Sequence, residues 1–83
     1  MRKILVTGSV GQIGSELTPA LRDRYGSDNV IAGGHRTKPS QELLDGGPFE
    51  VVDCADVNQL TEVVKKYNIG TIYHLAAILS AVG

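Results

Sequence analysis

Ile4-Leu5-Val6-Thr7-Gly8-Ser9-Val10-Gly11-Gln12-Ile13-Gly14 is the stretch from which the fold is read. A short apolar run closed by glycines reads as a strand buried on both faces, and the helical pattern opening at Gln12 completes a strand, a turn and a helix. Such a turn favours anions, because free backbone N–H groups and the positive end of the helix dipole converge on it. Gly8, Gly11 and Gly14 remove the side chains that would hold a phosphate away from the main chain. The spacing is Gly-x-x-Gly-x-x-Gly. A P-loop is excluded, because Ile13 and Gly14 stand where its Gly-Lys pair would be. A glycine turn that follows a strand, opens a helix and lies in a unit of βαβ length predicts dinucleotide binding rather than turn packing alone.

Outward from this turn, the first strand is predicted from Lys3 to Thr7 and the first helix from Gln12 to Tyr25, with Ile13, Leu17, Ala20 and Leu21 as its apolar stripe and Gly26 as its stop. Pro19 lies inside that helix and supplies no N–H to the Ser15 carbonyl, which predicts a kink or local opening. Asn29 to Gly33 reads as a second strand. Residues 34–48 read as loop, with at best one helical turn around Glu42 to Asp45. Phe49 to Val52 reads as a third strand. Asp56 then caps a helix with Gln59 at the capping-box position, and Val57, Leu60, Val63, Val64 and Tyr67 fall on one face. That helix is expected to run through Asn68 and to end at Gly70, with Thr71 to Leu75 as the fourth strand.

Strands joined by crossovers give a parallel sheet, and the expected order is three, two, one, four. This is α/β architecture: a Rossmann doubly wound parallel sheet, of which these residues supply the N-terminal part. The order reverses beside strand one, where an open α/β sheet binds its ligand. An apolar fourth strand at the edge, running into Ala76-Ala77-Ile78-Leu79, would leave unpaired backbone and an uncovered apolar face. The expectation is therefore that residues 1–83 are the front portion of a larger protein, or are completed by another polypeptide.

The chain has 83 residues, enough for one domain at most, burying about 60–65% of its unfolded surface. A net charge of −1 gives no argument for nucleic acid or a membrane surface. Cys54 is the sole cysteine, which excludes an internal disulfide and fits a reducing compartment. Between Arg2-Lys3 and Gly8 stand only four residues, well short of the ~7–15 of a signal core or the ~18 of a membrane span. The expected location is cytoplasmic. No repeat or low-complexity tract interrupts the sequence.

Thr7-Gly8-Ser9-Val10-Gly11-Gln12-Ile13-Gly14 resembles the cofactor fingerprint of the extended short-chain dehydrogenases, and His74-Leu75-Ala76-Ala77 resembles their strand-four signature. Gly-Gln-Ile-Gly-Ser-Glu-Leu, Pro-Ala-Leu-Arg and Thr-Ile-Tyr-His-Leu-Ala-Ala-Ile-Leu-Ser narrow the likeness: together they are similar to the epimerase-like L-threonine 3-dehydrogenases. That family oxidises the threonine side-chain alcohol to 2-amino-3-oxobutanoate with NAD. The resemblance implies that Gly8, Gly11, Gln12 and Ile13 hold the pyrophosphate and that Asp53 accepts from the adenine amino group beside the Cys54 main chain. It implies that Leu75, Ala76 and Ala77 pass the ribose, that Ser80 lies near substrate and nicotinamide, and that the complete enzyme is a homodimer.

Several positions qualify that picture. An acid gripping the adenosine ribose is expected about 20 residues beyond the last glycine, and Gly34 stands there, followed by His35, Arg36 and Lys38. Gly34 and Arg36 join the cofactor-binding set on this ground, against the ordinary reading of His35, Arg36 and Lys38 as a solvated loop; NAD is the expected coenzyme, with NADP left open. Cys54 reads as a small buried hydrophobe and His74 as a hydrogen-bonded core or pocket histidine. The sequence has no His-Cys cluster for a metal. The family's catalytic tyrosine carries a lysine four residues on, whose charge lowers the phenol pKa. Tyr25, Tyr67 and Tyr73 are followed at that offset by Asn29, Thr71 and Ala77, so no catalytic residue is assigned. Two alternatives share these motifs: a nucleotide-sugar epimerase or reductase, and a non-catalytic dinucleotide-binding sensor.

Overall fold

In a computed structural model of the chain, the residues described are 2–9, 12–35, 38–53 and 55–75. The strands β1 (Lys3–Thr7), β2 (Val30–Gly34), β3 (Phe49–Val51) and β4 (Ile69–His74) form one sheet in the order β3-β2-β1-β4. All three pairings are parallel, as expected when each crossover carries its own connection. The helices are α1 (Gln12–Tyr25), α2 (Gln41–Asp45) and α3 (Val57–Tyr67), with a 3-10 turn over Ser27–Asn29.

Both faces of the central strands are covered, which is why β1 and β2 are apolar without alternation. On one face Ile4, Val6 and Val30 pack with Leu21 and Leu75, flanked by Leu17, Tyr25 and Tyr73. On the other, Leu5 and Ile31 pack with Val52, Val63 and Ile69, flanked by Leu60, Val64 and Tyr67. Helix α1 therefore lies on the first face and α3 on the second.

The buried stripe of α1 differs from the expected one. Ile13 is 49% exposed and Ala20 is exposed, while Gly14, Thr18, Leu21 and Arg22 are buried. The stripe is turned because the helix approaches the sheet through Gly14 and because Arg22 bonds inward. Arg22 Nε donates to Val30 O (3.3 Å), Nη1 to Leu43 O (2.8 Å) and Nη2 to Pro48 O (2.6 Å), tying α1 to β2, α2 and the lead into β3. Burial pushes the Arg22 guanidinium pKa down, yet the group stays charged at neutral pH. Helix α1 continues unbroken through Pro19, whose side is exposed, in place of the expected opening.

Ser40 caps α2 by accepting from Leu43 N, so the predicted single turn is a short helix. Asp56 caps α3 through Asn58 N and Gln59 N. Gln59 does not complete a capping box; its Oε1 accepts from Asp53 N and its Nε2 donates to Asp56 Oδ2. Val57, at the first turn, is 73% exposed, so the apolar face begins at Leu60 instead. The helix ends at Asn68 in the left-handed region (φ 55°), with its N–H bonded to Val64 O. Gly70 is not the stop. It is the extra residue where the β1–β4 register slips between Lys3↔Ile69 and Ile4↔Thr71. β4 consequently starts at Ile69, earlier than expected, and pairs with β1 alone among the described residues. Ile72 on this edge strand is 41% exposed.

Candidate functional site

The strand order reverses beside β1, and the register Thr7↔Gly33 on one side and Thr7↔His74 on the other brings three strand ends level. Here the glycine turn leaves the sheet. Gly8 has φ +69°, which a residue with a Cβ rarely adopts. A Cβ placed on Gly14 would overlap Gly8 O and stand 2.6 Å from Ser9 Cα, so the first turn of α1 is seated directly on the bend. Close seating of helix on turn is what the third glycine of a dinucleotide fingerprint provides, and α1 begins at Gln12, so the positive end of its dipole belongs to this turn. The residues present fit a diphosphate held by main chain.

Ser9 was not singled out from the sequence. It is fully buried, and both its N (3.1 Å) and its Oγ (2.9 Å) donate to Gly33 O. Its hydroxyl therefore locks the bend to the end of β2. The signal available in the sequence was a small hydroxyl residue directly after the first glycine. Thr7 was overlooked as well. Its buried Oγ1 lies 3.3 Å from Tyr73 O and 3.0 Å from His74 Nδ1. The arrangement that satisfies all three atoms has the hydroxyl donating to Tyr73 O and accepting from His74 Nδ1–H. His74 is hydrogen-bonded as expected, but it is exposed rather than a core residue, because β4 is an edge.

On the β2–β3 side, Gly34 ends β2, is buried, and pairs with Val51. His35 Nε2 stands 3.8 Å from Asp53 Oδ2. Asp53 follows β3, accepts from Ala55 N through Oδ1 (3.0 Å) and donates its own N to Gln59 Oε1. Asp53 and Gly34 are thus brought to the same end of the sheet as the bend. Gln12 opens α1, and Ile13 lies half-exposed in its first turn. The Leu75 side chain is committed to the α1-side core, so what it offers the crevice is main chain. Gly11, Arg36, Cys54, Ala76, Ala77 and Ser80 lie outside the described residues.

A cavity of about 410 Å³ opens elsewhere, between α1 and α2. Asp23 and Glu42 line it, and the Arg22 donors there are spent on carbonyls, so it is a poor receptor for a phosphate. Among the described residues there is no group of His, Cys, Asp and Glu arranged to hold a metal, and no helix is long and apolar enough to cross a membrane.

Known proteins share this sequence and this fold. The chain is 46% identical over 81 residues to an uncharacterized epimerase/dehydratase of Staphylococcus epidermidis, covering 98% of this chain and 26% of that protein. It is 41% identical to a counterpart in Staphylococcus aureus, again over 98% of this chain and 25% of the relative. The chain thus spans about a quarter of the length of the curated relatives it matches. Among solved structures, an L-threonine dehydrogenase from Clostridium difficile superposes with a TM-score of 0.79 at 50% identity, over 87% of this chain and 23% of that one. A GalE-like L-threonine dehydrogenase from Cupriavidus necator, in its holo form, gives 0.73 at 37% identity, over 84% and 22%. The model of the NAD dependent epimerase/dehydratase family matches residues 4–83. With a parallel sheet ordered β3-β2-β1-β4 and a glycine bend at its point of reversal, the chain belongs to the NAD dependent epimerase/dehydratase family.

Proposed function

We propose that residues 1–83 form the coenzyme-binding segment of an NAD-dependent L-threonine 3-dehydrogenase, a cytoplasmic homodimer that oxidises the threonine side-chain hydroxyl to 2-amino-3-oxobutanoate. The observation that carries this reading is the close seating of Gly14 against Gly8 and Ser9, in a chain 50% identical to an L-threonine dehydrogenase over most of its length. The main chain of Gly8, Gly11, Gln12 and Ile13 holds the diphosphate, with Ser9 keeping the bend in place through Gly33. Asp53 and the Cys54 main chain receive the adenine; Leu75, Ala76 and Ala77 line the ribose; Ser80 lies at the substrate. When bound, the nicotinamide supplies the hydride acceptor.

The proton acceptor is not among these residues, because none of the three tyrosines has a lysine four places on. Residues 1–83 alone are therefore expected to be inactive, with the tyrosine–lysine pair supplied by further sequence. The test offers the protein in its full natural length NAD with L-threonine or a nucleotide sugar, following NAD reduction for the first and conversion of the sugar itself for the second, because an epimerase returns the hydride and leaves NAD oxidised. Reduction with L-threonine supports the proposal. Conversion of a nucleotide sugar instead supports the second reading, an epimerase, which the family description favours. Coenzyme binding without turnover of either would indicate a dinucleotide sensor.

A further inference from the structure

In a sheet of this kind the residue closing β2 is where a carboxylate holds the adenosine ribose hydroxyls. The β1–β2 register, with Thr7 opposite Gly33, puts residue 34 level with Gly8. Alternation along β2 places position 34 on the face shared by Val30, which packs toward α1, and so on the side from which the glycine bend rises. A carboxylate at 34 would project beside the bend, where it would take the 2′-hydroxyl and repel a 2′-phosphate. This chain has Gly34 there.

The acid that the fold does bring to this end, Asp53, is accompanied. One oxygen faces His35 Nε2 at 3.8 Å and the other accepts from Ala55 N. His35 is exposed and follows Gly34 directly, and an imidazole N–H donates to a phosphate in either protonation state. The negative charge of Asp53 thus stands beyond the end of β3, turned toward His35 and Ala55 N, and not at position 34.

We propose that the adenosine-ribose subsite of this chain admits a 2′-phosphate, with Gly34 as the residue that sets coenzyme choice, so that NADP binds within tenfold of NAD or more tightly. The inference rests on the coenzyme reading above and extends it to a second coenzyme class.

The experiment is calorimetric titration of the full natural-length protein, and of its Gly34→Ala and Gly34→Asp variants, with NAD, NADP, ADP-ribose and 2′-phospho-ADP-ribose. The wild type and Gly34→Ala are expected to bind the phosphorylated and unphosphorylated ligands within about tenfold of each other, since neither carries a repelling charge at 34. Gly34→Asp is expected to shift the ratio toward NAD by at least about tenfold, through like-charge repulsion of the 2′-phosphate. A wild-type preference for NAD above tenfold overturns the inference while leaving the coenzyme reading intact. Failure of all four ligands to bind overturns both. Should Gly34→Asp fail to fold, the wild-type ratio alone decides.

Discussion

Replacing Gly14 by Ala tests the seating of α1 on the bend, because two effects of known size act in opposite directions. In a helix interior Ala is more favourable than Gly by about 1 kcal/mol, so propensity alone predicts a more stable protein. The added Cβ, however, would overlap Gly8 O and stand 2.6 Å from Ser9 Cα, and ordinary contact begins near 3.4 Å. These neighbours are backbone, and Ser9 is bonded twice to Gly33 O, so they do not swing aside as a side-chain tip would. The helix must instead retreat by at least about 0.8 Å to clear Ser9 Cα, and by more to clear Gly8 O, and overpacking of this kind costs about 1–3 kcal/mol. Overpacking is expected to win, leaving a net stability loss of about 0–2 kcal/mol by urea denaturation. Dinucleotide affinity has no propensity gain to offset the displaced helix, and a loss of 1–3 kcal/mol there is roughly a five- to 150-fold rise in Kd. Titration of Gly14→Ala alongside Glu16→Ala, an exposed position on the same helix, separates the local clash from a general change in α1. A Gly14→Ala protein about 1 kcal/mol more stable than wild type with an unchanged Kd would show that α1 does not rest on the bend.

Arg22→Met is expected to lower stability by about 1–3 kcal/mol in urea melts, because three carbonyl contacts lose their donor, although Pro48 O keeps Ala32 N. Thr7→Val preserves shape but removes the hydroxyl between Tyr73 O and His74 Nδ1; a loss of about 1 kcal/mol is expected, with a changed His74 ring signal in NMR spectra. Asn68→Ala puts a Cβ without a local hydrogen-bonding side chain at φ 55° and is expected to cost about 1 kcal/mol, whereas Asn68→Gly is expected to match or exceed wild type. The hydrogen bond to Glu50, and secondarily its charge, raise the Lys66 pKa above 10.5. A raised pKa stabilises the fold fully below the unfolded value, so the small difference in Tm between wild type and Lys66→Met is expected to hold from pH 6 to 9 and fade above about 10.5.

The glycine spacing and the two-sided apolar runs were legible because each is local: a strand buried on both faces must be continuously apolar, and a bend that admits a phosphate needs glycine where the phosphate or the helix comes closest to the main chain. Parallel pairing followed from crossover length, and the order from the doubly wound sheet that a dinucleotide-binding glycine turn implies, so the point of reversal could be placed before any contact was known. Residues whose role is set by a neighbour distant in the chain were not legible. Arg22 reads as a surface cation until β2, α2 and the approach to β3 present three carbonyls to it. Ser9 and Thr7 look like turn and strand fillers until Gly33 and His74 arrive beside them. The end of α3 was misplaced because Asn68 and Gly70 both suit a left-handed stop, and only the β1–β4 register assigns Gly70 to the bulge.

The sequence by itself determined the fold class, the strand order and the bend, since these depend on patterns a few residues long and on rules of chain connection. Only the tertiary structure decided which face of α1 is buried, what holds the bend to β2, and that Gly34 stands level with Gly8 with His35 and Asp53 alongside. Those are relations between strands, fixed by register and close contact, and no local pattern encodes them.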